Sequence, residues 1–485
     1  MPDRSNIRAG GWLSPFVHLT NNWISLTGVV IVTTATIFWL FLLPTTLRGE
    51  TENPYIGILA YLTIPAPFFI GLLLVPLGIW LKRRREGRAG VYPPEFPPLH
   101  WSNRELRKLA YFFGGATVLN LVIASQVTYG AVNYMDSVTF CGQTCHTVMR
   151  PEFTAYQNSP HSRVECVKCH IGPGAGWFVR SKLSGVGQVF AVVFNTYPRP
   201  IPTPIRNLRP ARETCETCHW PQKYGEDRLR VIPKYADDAP NTLTKTVLLM
   251  RIGGGNGGVG IHGRHLGPGV VIRYGHSDEA RQTIPWVEYN VQGRKKVYAV
   301  PDAKPNGLGL AIREMDCMDC HNRPSHTYEL PERAVDQSMN SGAISASLPF
   351  ARKKAVEILK ASYTTRKEAE RKIPAAFAKY YQESYPAIWA QRRAEIASSA
   401  REVLAIWDRN IFPEMNVTWG KYPINIGHND FPGCFRCHDG SHNASDGRSI
   451  SQDCRACHNL LAVDEPTPKV LTDLGISDAK TVDAK

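Results

Sequence analysis

Every one of the 12 cysteines in this 485-residue chain belongs to a pair that is followed immediately by histidine. Five pairs have the spacing C-x-x-C-H: Cys166/Cys169/His170, Cys215/Cys218/His219, Cys317/Cys320/His321, Cys434/Cys437/His438 and Cys454/Cys457/His458. The sixth, Cys141/Cys145/His146, has one more residue between its thiols. C-x-x-C-H is the attachment pattern of c-type haem, in which two thiols bond one edge of the haem while the adjacent imidazole reaches the iron. Redox dithiols, structural zinc and disulfides also use paired cysteines, but none of them calls for a histidine directly after every pair. The sequence therefore predicts six covalent haems, the one at Cys141/Cys145 through a lengthened motif.

Hydrophobicity is concentrated near the N-terminus. Three uncharged runs, residues 24–43, 56–81 and 109–130, each reach the ~20 residues that span ~30 Å of hydrocarbon as a helix. No small-residue cleavage site follows the first run, which reads as an anchor and not as a removed signal. The loop over 82–108 carries Lys82, Arg83, Arg84, Arg85, Arg88, Arg104, Arg107 and Lys108, whereas 44–55 carries only Arg48. Lysine and arginine mark the cytoplasmic side, so the N-terminus is expected inside a bacterial inner membrane and everything after Gly130 in the periplasm, where haem is attached. Pro65, Pro67 and Pro76 should kink or open the second run.

The formal charge of +14 would suit nucleic acid, yet no basic helix interleaved with aromatics is evident and no nucleic-acid partner is expected. Haem propionates account for it better, since six haems bring roughly twelve carboxylates for arginine and lysine to pair with. β-type alternation at residues 247–252, 269–274 and 286–300 predicts a small sheet between the third and fourth motifs. Residues 348–411, rich in Ala, Lys, Arg and Glu with apolar positions such as Ala355, Ile358 and Leu359 at helical spacing, predict a hairpin or short bundle broken at Pro374 and Pro386. The expected fold is a mostly α membrane protein: three transmembrane helices plus a loop-rich periplasmic multihaem cytochrome c domain with a small β insertion and a helical hairpin. Its expected division is a three-helix anchor over 1–135, a four-motif region over 136–333 with the insertion at about 240–300, a helical segment over 334–412, a two-motif segment over 413–462 and a flexible tail over 463–485.

An iron that only carries electrons needs two axial ligands, so the remaining histidines matter. Six belong to the motifs and nine do not. His18 and His100 lie on the expected cytoplasmic side, out of reach of haem. His161, His262, His265, His276, His326, His428 and His442 are the candidate distal ligands. The glycine-rich run from Gly253 to Gly260 lacks the context of a phosphate loop and, with His262 and His265 after it, reads as a loop that approaches a haem closely.

Residues 140–185, with C-G-Q-T-C-H-T-V-M, the S-P-H of 159–161, C-V-K-C-H and Arg180-Ser181-Lys182, resemble the NapC/NirT family of membrane-bound quinol dehydrogenases. The family's tetrahaem core would cover roughly 109–330, and residues 419–458 resemble the last haem pair of longer members, such as inner-membrane cytochromes of metal-reducing bacteria. The resemblance implies Met149 as a candidate axial ligand of the first haem in place of His146, His161 as distal ligand of the haem at Cys317, and His326 of the haem at Cys166. It leaves one of His262, His265 and His276 for the third. Lys182 matches the family's quinol-site lysine, though a propionate or lipid headgroup contact would also use it. Where an acid would follow, this chain has Gln188 and Val189, so either Glu152 or Glu165 would accept the proton, with Arg150 near Glu152, or quinol binds differently.

The resemblance thus implies a quinol dehydrogenase that takes electrons from menaquinol or ubiquinol and delivers them to periplasmic cytochromes or a reductase. Two other readings stay open: a structural electron-conduit subunit of a larger respiratory membrane complex, without its own quinone site, and a periplasmic reductase with one five-coordinate haem. The surplus of histidine disfavours the second.

Overall fold

The computed structural model describes residues 14–47, 65–92, 100–144, 146–172, 177, 187–188, 190–205, 208–220, 226–253, 260–305 and 309–476. They divide into two compact units, residues 1–141 with 165–193, and residues 142–164 with 194–485.

The first unit is helical. α1 (Ser14–Thr20) and α2 (Trp23–Leu47) meet at 96°, followed by α3 (Pro65–Ala89) and α4 (Arg104–Asp136). α3 and α4 are long and apolar enough to cross a membrane, and the bent α1/α2 pair adds a third crossing if it is counted as one span. Phe69, Leu73, Val118 and Val122 are left exposed, as a lipid-facing surface requires. α2 and α3 meet through glycine: a Cβ on Gly28 would lie 2.8 Å from the Gly71 carbonyl oxygen, and one on Gly71 2.9 Å from that of Gly28. Small residues let helix backbones approach where lipid supplies no hydrophobic drive. The Ser25 hydroxyl donates to the Val75 carbonyl at 3.0 Å, and the Asn120 amide to Thr33 at 3.3 Å. At one end His18 joins the helices, its Nε2 3.1 Å from Glu86 and its Nδ1 3.3 Å from Glu105.

The second expected run begins at 56, but 48–64 lie outside the described residues. Pro65 and Pro67 fall in the first turn of α3, where no backbone N–H is needed. α3 continues through Pro76.

The second unit begins with α5 (His146–Gln157), while α6 (Cys166–His170) belongs to the first. After α7 (Ala211–Cys215) come β1 (Arg228–Tyr235), β2 (Leu243–Met250), α8 (Gly260–Leu266), β3 (Val270–His276), β4 (Trp286–Val291), β5 (Arg294–Ala299), β6 (Ala311–Glu314) and α9 (Cys317–Cys320). Five helices follow: α10 (Pro331–Asn340), α11 (Ala351–Lys360), α12 (Arg366–Ser384), α13 (Pro386–Gln391) and α14 (Arg393–Asn410). The chain then runs through two short 3₁₀ turns at Gly433–Arg436 and Cys454–Ala456 to β7 (His458–Glu465) and α15 (Lys469–Asp473).

The strands form two sheets, β1-β2-β7 and β5-β4-β3-β6, with all pairs antiparallel. The expected insertion at about 240–300 is thus wider, and one sheet takes its third strand from beyond the sixth motif. Val247 pairs with Val231 on one side and Ala462 on the other. These residues bury Leu471 of α15, so the chain is ordered past 463, where a flexible tail was expected; 477–485 lie outside the described residues.

The main apolar core is helical. Leu359, Ile373, Phe377, Tyr381, Ile396, Val403, Ile406 and Trp407 are buried together. Pro386 starts α13 as expected of a first-turn proline, but Pro374 lies inside α12. Ile373 and Phe377, fully buried on either side of it, hold the helix through the missing hydrogen bond.

Candidate haem sites

The motifs fold as single tight turns. Residues three apart on a helical turn share a face, so α6, α9 and the 3₁₀ turns present each cysteine pair on one side. The histidine that follows is held by its own backbone: the amides of His219, His321 and His438 donate to the carbonyls of Cys215, Cys317 and Cys434 at 2.8, 2.8 and 3.0 Å. The lengthened motif has a matching device. Phe140–Thr144 form a π-helical turn, whose wider ring takes up one extra residue. Cys145 lies outside the described residues. Among those described, all 11 cysteines are thiols, none joined to another in a disulfide.

Thiols of successive motifs stand side by side. Cys166 hydrogen-bonds to Cys141 and Cys317 to Cys215, and these contacts lower the Cys166 and Cys317 thiols to about 7. Burial pushes Cys320 and Cys437 up to about 12.

The polypeptide covers the pairs unevenly. In four motifs one thiol is exposed, that of Cys169, Cys218, Cys434 or Cys454, while its partner Cys166, Cys215, Cys437 or Cys457 is half-buried. Cys169 and Cys218 are the exposed thiols of the second and third motifs. Cys166 and Cys215, the first cysteines of the same two motifs, turn towards the thiols of neighbouring motifs, which leaves Cys169 and Cys218 at the rim. A thioether forms at one edge of the haem, so attachment requires these two thiols to be within reach of that edge and not to be covered by protein.

Four motif histidines face a second imidazole. The ring centres are 5.9 Å apart for His161 and His219, 6.3 Å for His262 and His321, 5.9 Å for His265 and His438, and 6.2 Å for His428 and His458. Two metal–nitrogen bonds of ~2 Å on opposite sides of one iron, plus ~1 Å from nitrogen to ring centre, demand a separation of about 6 Å. The pairs therefore fit bis-histidine haem, and His161, for which the resemblance implies the haem at Cys317, has His219 as its facing ring.

Second contacts orient the rings. Nδ1 of His161 lies 3.3 Å from the Pro324 carbonyl, that of His265 2.7 Å from Ile261, that of His326 2.9 Å from Glu152, that of His438 2.7 Å from Ser451 and that of His276 2.8 Å from Asp278. A proton donated from Nδ1 leaves Nε2 to bind a metal. Burial keeps His262, His265, His321 and His326 below the ordinary imidazole range, favouring the neutral form that metals bind. Nδ1 of His458 is buried and has no hydrogen-bond partner among the described residues.

His442 does not fit. Its ring is buried, with Nδ1 3.0 Å from Asp439 and Nε2 2.7 Å from the Ile284 carbonyl. Both nitrogens are used, so ligation of iron by His442, expected from the sequence, would break one of these hydrogen bonds. His276 faces no motif histidine among the described contacts.

Two of the residues expected around a quinol are engaged in ion pairs. Glu152 accepts from Arg323 at 2.9 Å and stands 3.2 Å from His326, while Arg150 pairs with Glu414 at 3.0 Å. Lys182 and Val189 lie outside the described residues, and Glu165 is exposed. Met149, on the same helix as Arg150 and Glu152, is half-buried.

One centre was missed in the sequence. Asp319, inside the fourth motif, is buried and accepts from Tyr274 at 2.5 Å, Arg313 at 3.0 Å and Arg281 at 3.2 Å. Desolvation and the neighbouring Asp319 charge hold the Tyr274 hydroxyl far above its usual range. Arg436, inside the fifth motif, donates to the Asp319 and Arg281 carbonyls. The one signal was a charged residue at the interior of each motif.

Comparison with known proteins identifies relatives of the chain. The N-terminal region of the NapC/NirT cytochrome c family matches residues 104–200, from α4 through the first two motifs. The chain is 42% identical over 445 residues, 91% of its length and 88% of the relative's, to the cytochrome c-type protein ImcH of Geobacter sulfurreducens. No solved structure matches.

Proposed function

The chain belongs to the NapC/NirT cytochrome c family, a membrane-anchored electron-transfer cytochrome with covalent haem c, and on that premise we propose that it oxidises membrane quinol and relays the electrons through six haems to periplasmic acceptors. The observation that carries this reading is the set of four histidine pairs spaced for two axial ligands on one iron. Haem with both axial positions filled takes up and releases single electrons and has no open site for substrate. The cysteine pairs at 141/145, 166/169, 215/218, 317/320, 434/437 and 454/457 would attach the groups. His161 with His219, His262 with His321, His265 with His438, and His428 with His458 would ligate four irons. For the first two haems, the family resemblance implies Met149 or His146, and His170 with His326.

The anchor has three spans, with the basic 82–108 segment cytoplasmic and the haem-bearing part periplasmic. An apolar cavity of about 490 Å³ among α2, α3 and α4, lined in part by Val32, Thr33, Leu72, Pro76 and Phe113, supplies room at membrane level for a quinol's hydrocarbon tail. Lys182 would hold a quinol oxygen as negative charge develops there.

The engagement of Glu152 and Arg150 in ion pairs favours a second reading, in which a partner subunit performs the quinone chemistry and this chain conducts. The test is quinol-analogue oxidation by the purified full-length protein and its Lys182→Ala variant. Loss of a charged hydrogen bond costs ~1.5–3 kcal/mol, and ~1.4 kcal/mol is a factor of ten in rate, so the variant should oxidise quinol about one to two orders of magnitude more slowly while dithionite still reduces all its haem. A parent that accepts electrons from dithionite but never from quinol establishes the conduit.

A further inference from the structure

The glycine-rich run and the helix after it are not explained by any family motif. α8 has the sequence Gly260-Ile261-His262-Gly263-Arg264-His265-Leu266, and its two histidines, three residues apart, project on the same side. Each faces a different haem motif: His262 stands 6.3 Å from His321 of the fourth, and His265 stands 5.9 Å from His438 of the fifth. No hydrogen bond among the described contacts joins the rings of either pair. Both pairs of imidazoles are thus held an iron's width apart.

The helix is fixed from several sides. The amides of Ile261 and His262 donate to the carbonyls of Arg251 and Ile252 at 2.9 and 2.8 Å, and the Arg251 amide donates to the carbonyl of Cys457 in the sixth motif at 2.8 Å. Arg212, just before the third motif, donates to the Leu266 carbonyl at 3.2 Å, and Tyr289 of β4 to that of Arg264 at 3.2 Å. Glycine is required at the entry: Gly260 has φ +76°, and a Cβ there would fall 2.6 Å from the Cα of Gly253. The close approach pins the first turn of α8 to the end of β2.

We propose that α8 is a two-iron clamp, in which His262 is the distal ligand of the haem at Cys317/Cys320 and His265 that of the haem at Cys434/Cys437. One rigid turn then fixes the distance across the junction between the four-motif region and the last two motifs. That junction is a set geometry, not a swinging linker. The inference rests on haem occupying these motifs, as proposed above.

The test uses the full-length holoprotein with His262→Ala, His265→Ala and the double substitution, reading haem content by pyridine haemochrome and spin state by electron paramagnetic resonance. Each single variant should convert one haem to high spin, the double variant two, and added imidazole should restore the low-spin signal. Unchanged low-spin spectra, or the same single high-spin haem in all three variants, would overturn the clamp. Where a variant loses haem, His262→Met and His265→Met retain a sixth ligand, and each should raise the midpoint potential of one haem at full haem content. Unshifted titrations overturn the proposal equally. The parent's haem content judges the underlying reading separately, since the clamp needs only the fourth and fifth motifs loaded.

Discussion

At the scale of single residues, the difference between a ligand and a structural histidine lies in what its two nitrogens touch. His265 and His438 spend Nδ1 on a backbone carbonyl and, in the proposed reading, keep Nε2 for iron, whereas His442 spends both on the protein. His442→Ala should therefore leave every haem low spin. It should also lower stability by about 1–3 kcal/mol, because the buried Ile284 carbonyl loses its donor; thermal unfolding and the visible spectrum of the same sample check both statements. A new high-spin haem would return His442 to the ligands. The seven candidate histidines were legible in the sequence, because haem chemistry calls for them, but their partners were not. A distal ligand comes from a segment remote in sequence, so pairing is a tertiary property, and the neighbour His161 takes, His219, is not written in any local pattern. Glu152 likewise looked like a free acid near a quinol. Nothing local announced that Arg323, two residues past a motif histidine, would fold back onto it.

At the scale of elements, the motif turns and the long apolar helices were readable because their signals are local, while the sheets were only half readable. β2 alternates enough to be seen, but its neighbour β7 comes from beyond the sixth motif, and no local pattern encodes that pairing. Pro374 shows the converse: a strong local signal to end a helix yields to the burial of Ile373 and Phe377. The helical core also carries the pH dependence. A hydrogen bond from Arg392, aided by Ser345, holds the Glu395 carboxyl at about 2 against an ordinary 4.5. A carboxyl lowered on folding stabilises the fold above its unfolded value and loses that contribution as pH falls through the folded one. Acidification from about 4.5 towards about 2 should thus destabilise the helical region, and Glu395→Gln should flatten part of the dependence of melting temperature on pH. Parallel curves for parent and variant would show that this ion pair contributes nothing measurable, as many exposed pairs do.

At the scale of the whole molecule, the chain joins an anchor packed through Gly28 and Gly71 to a second unit whose helical core and two sheets hold motif turns and the histidines that face them. Its sequence charge of +14 fits a protein that must neutralise haem propionates. The central claim is that the irons are saturated for relay and closed to substrate. The most direct measurement is near-infrared magnetic circular dichroism of the oxidised full-length protein, which distinguishes axial ligand sets. Irons saturated in this way give bis-histidine charge-transfer bands from at least the four haems of the facing pairs and no high-spin haem; a five-coordinate high-spin haem at any of those four motifs in the parent protein would overturn the relay.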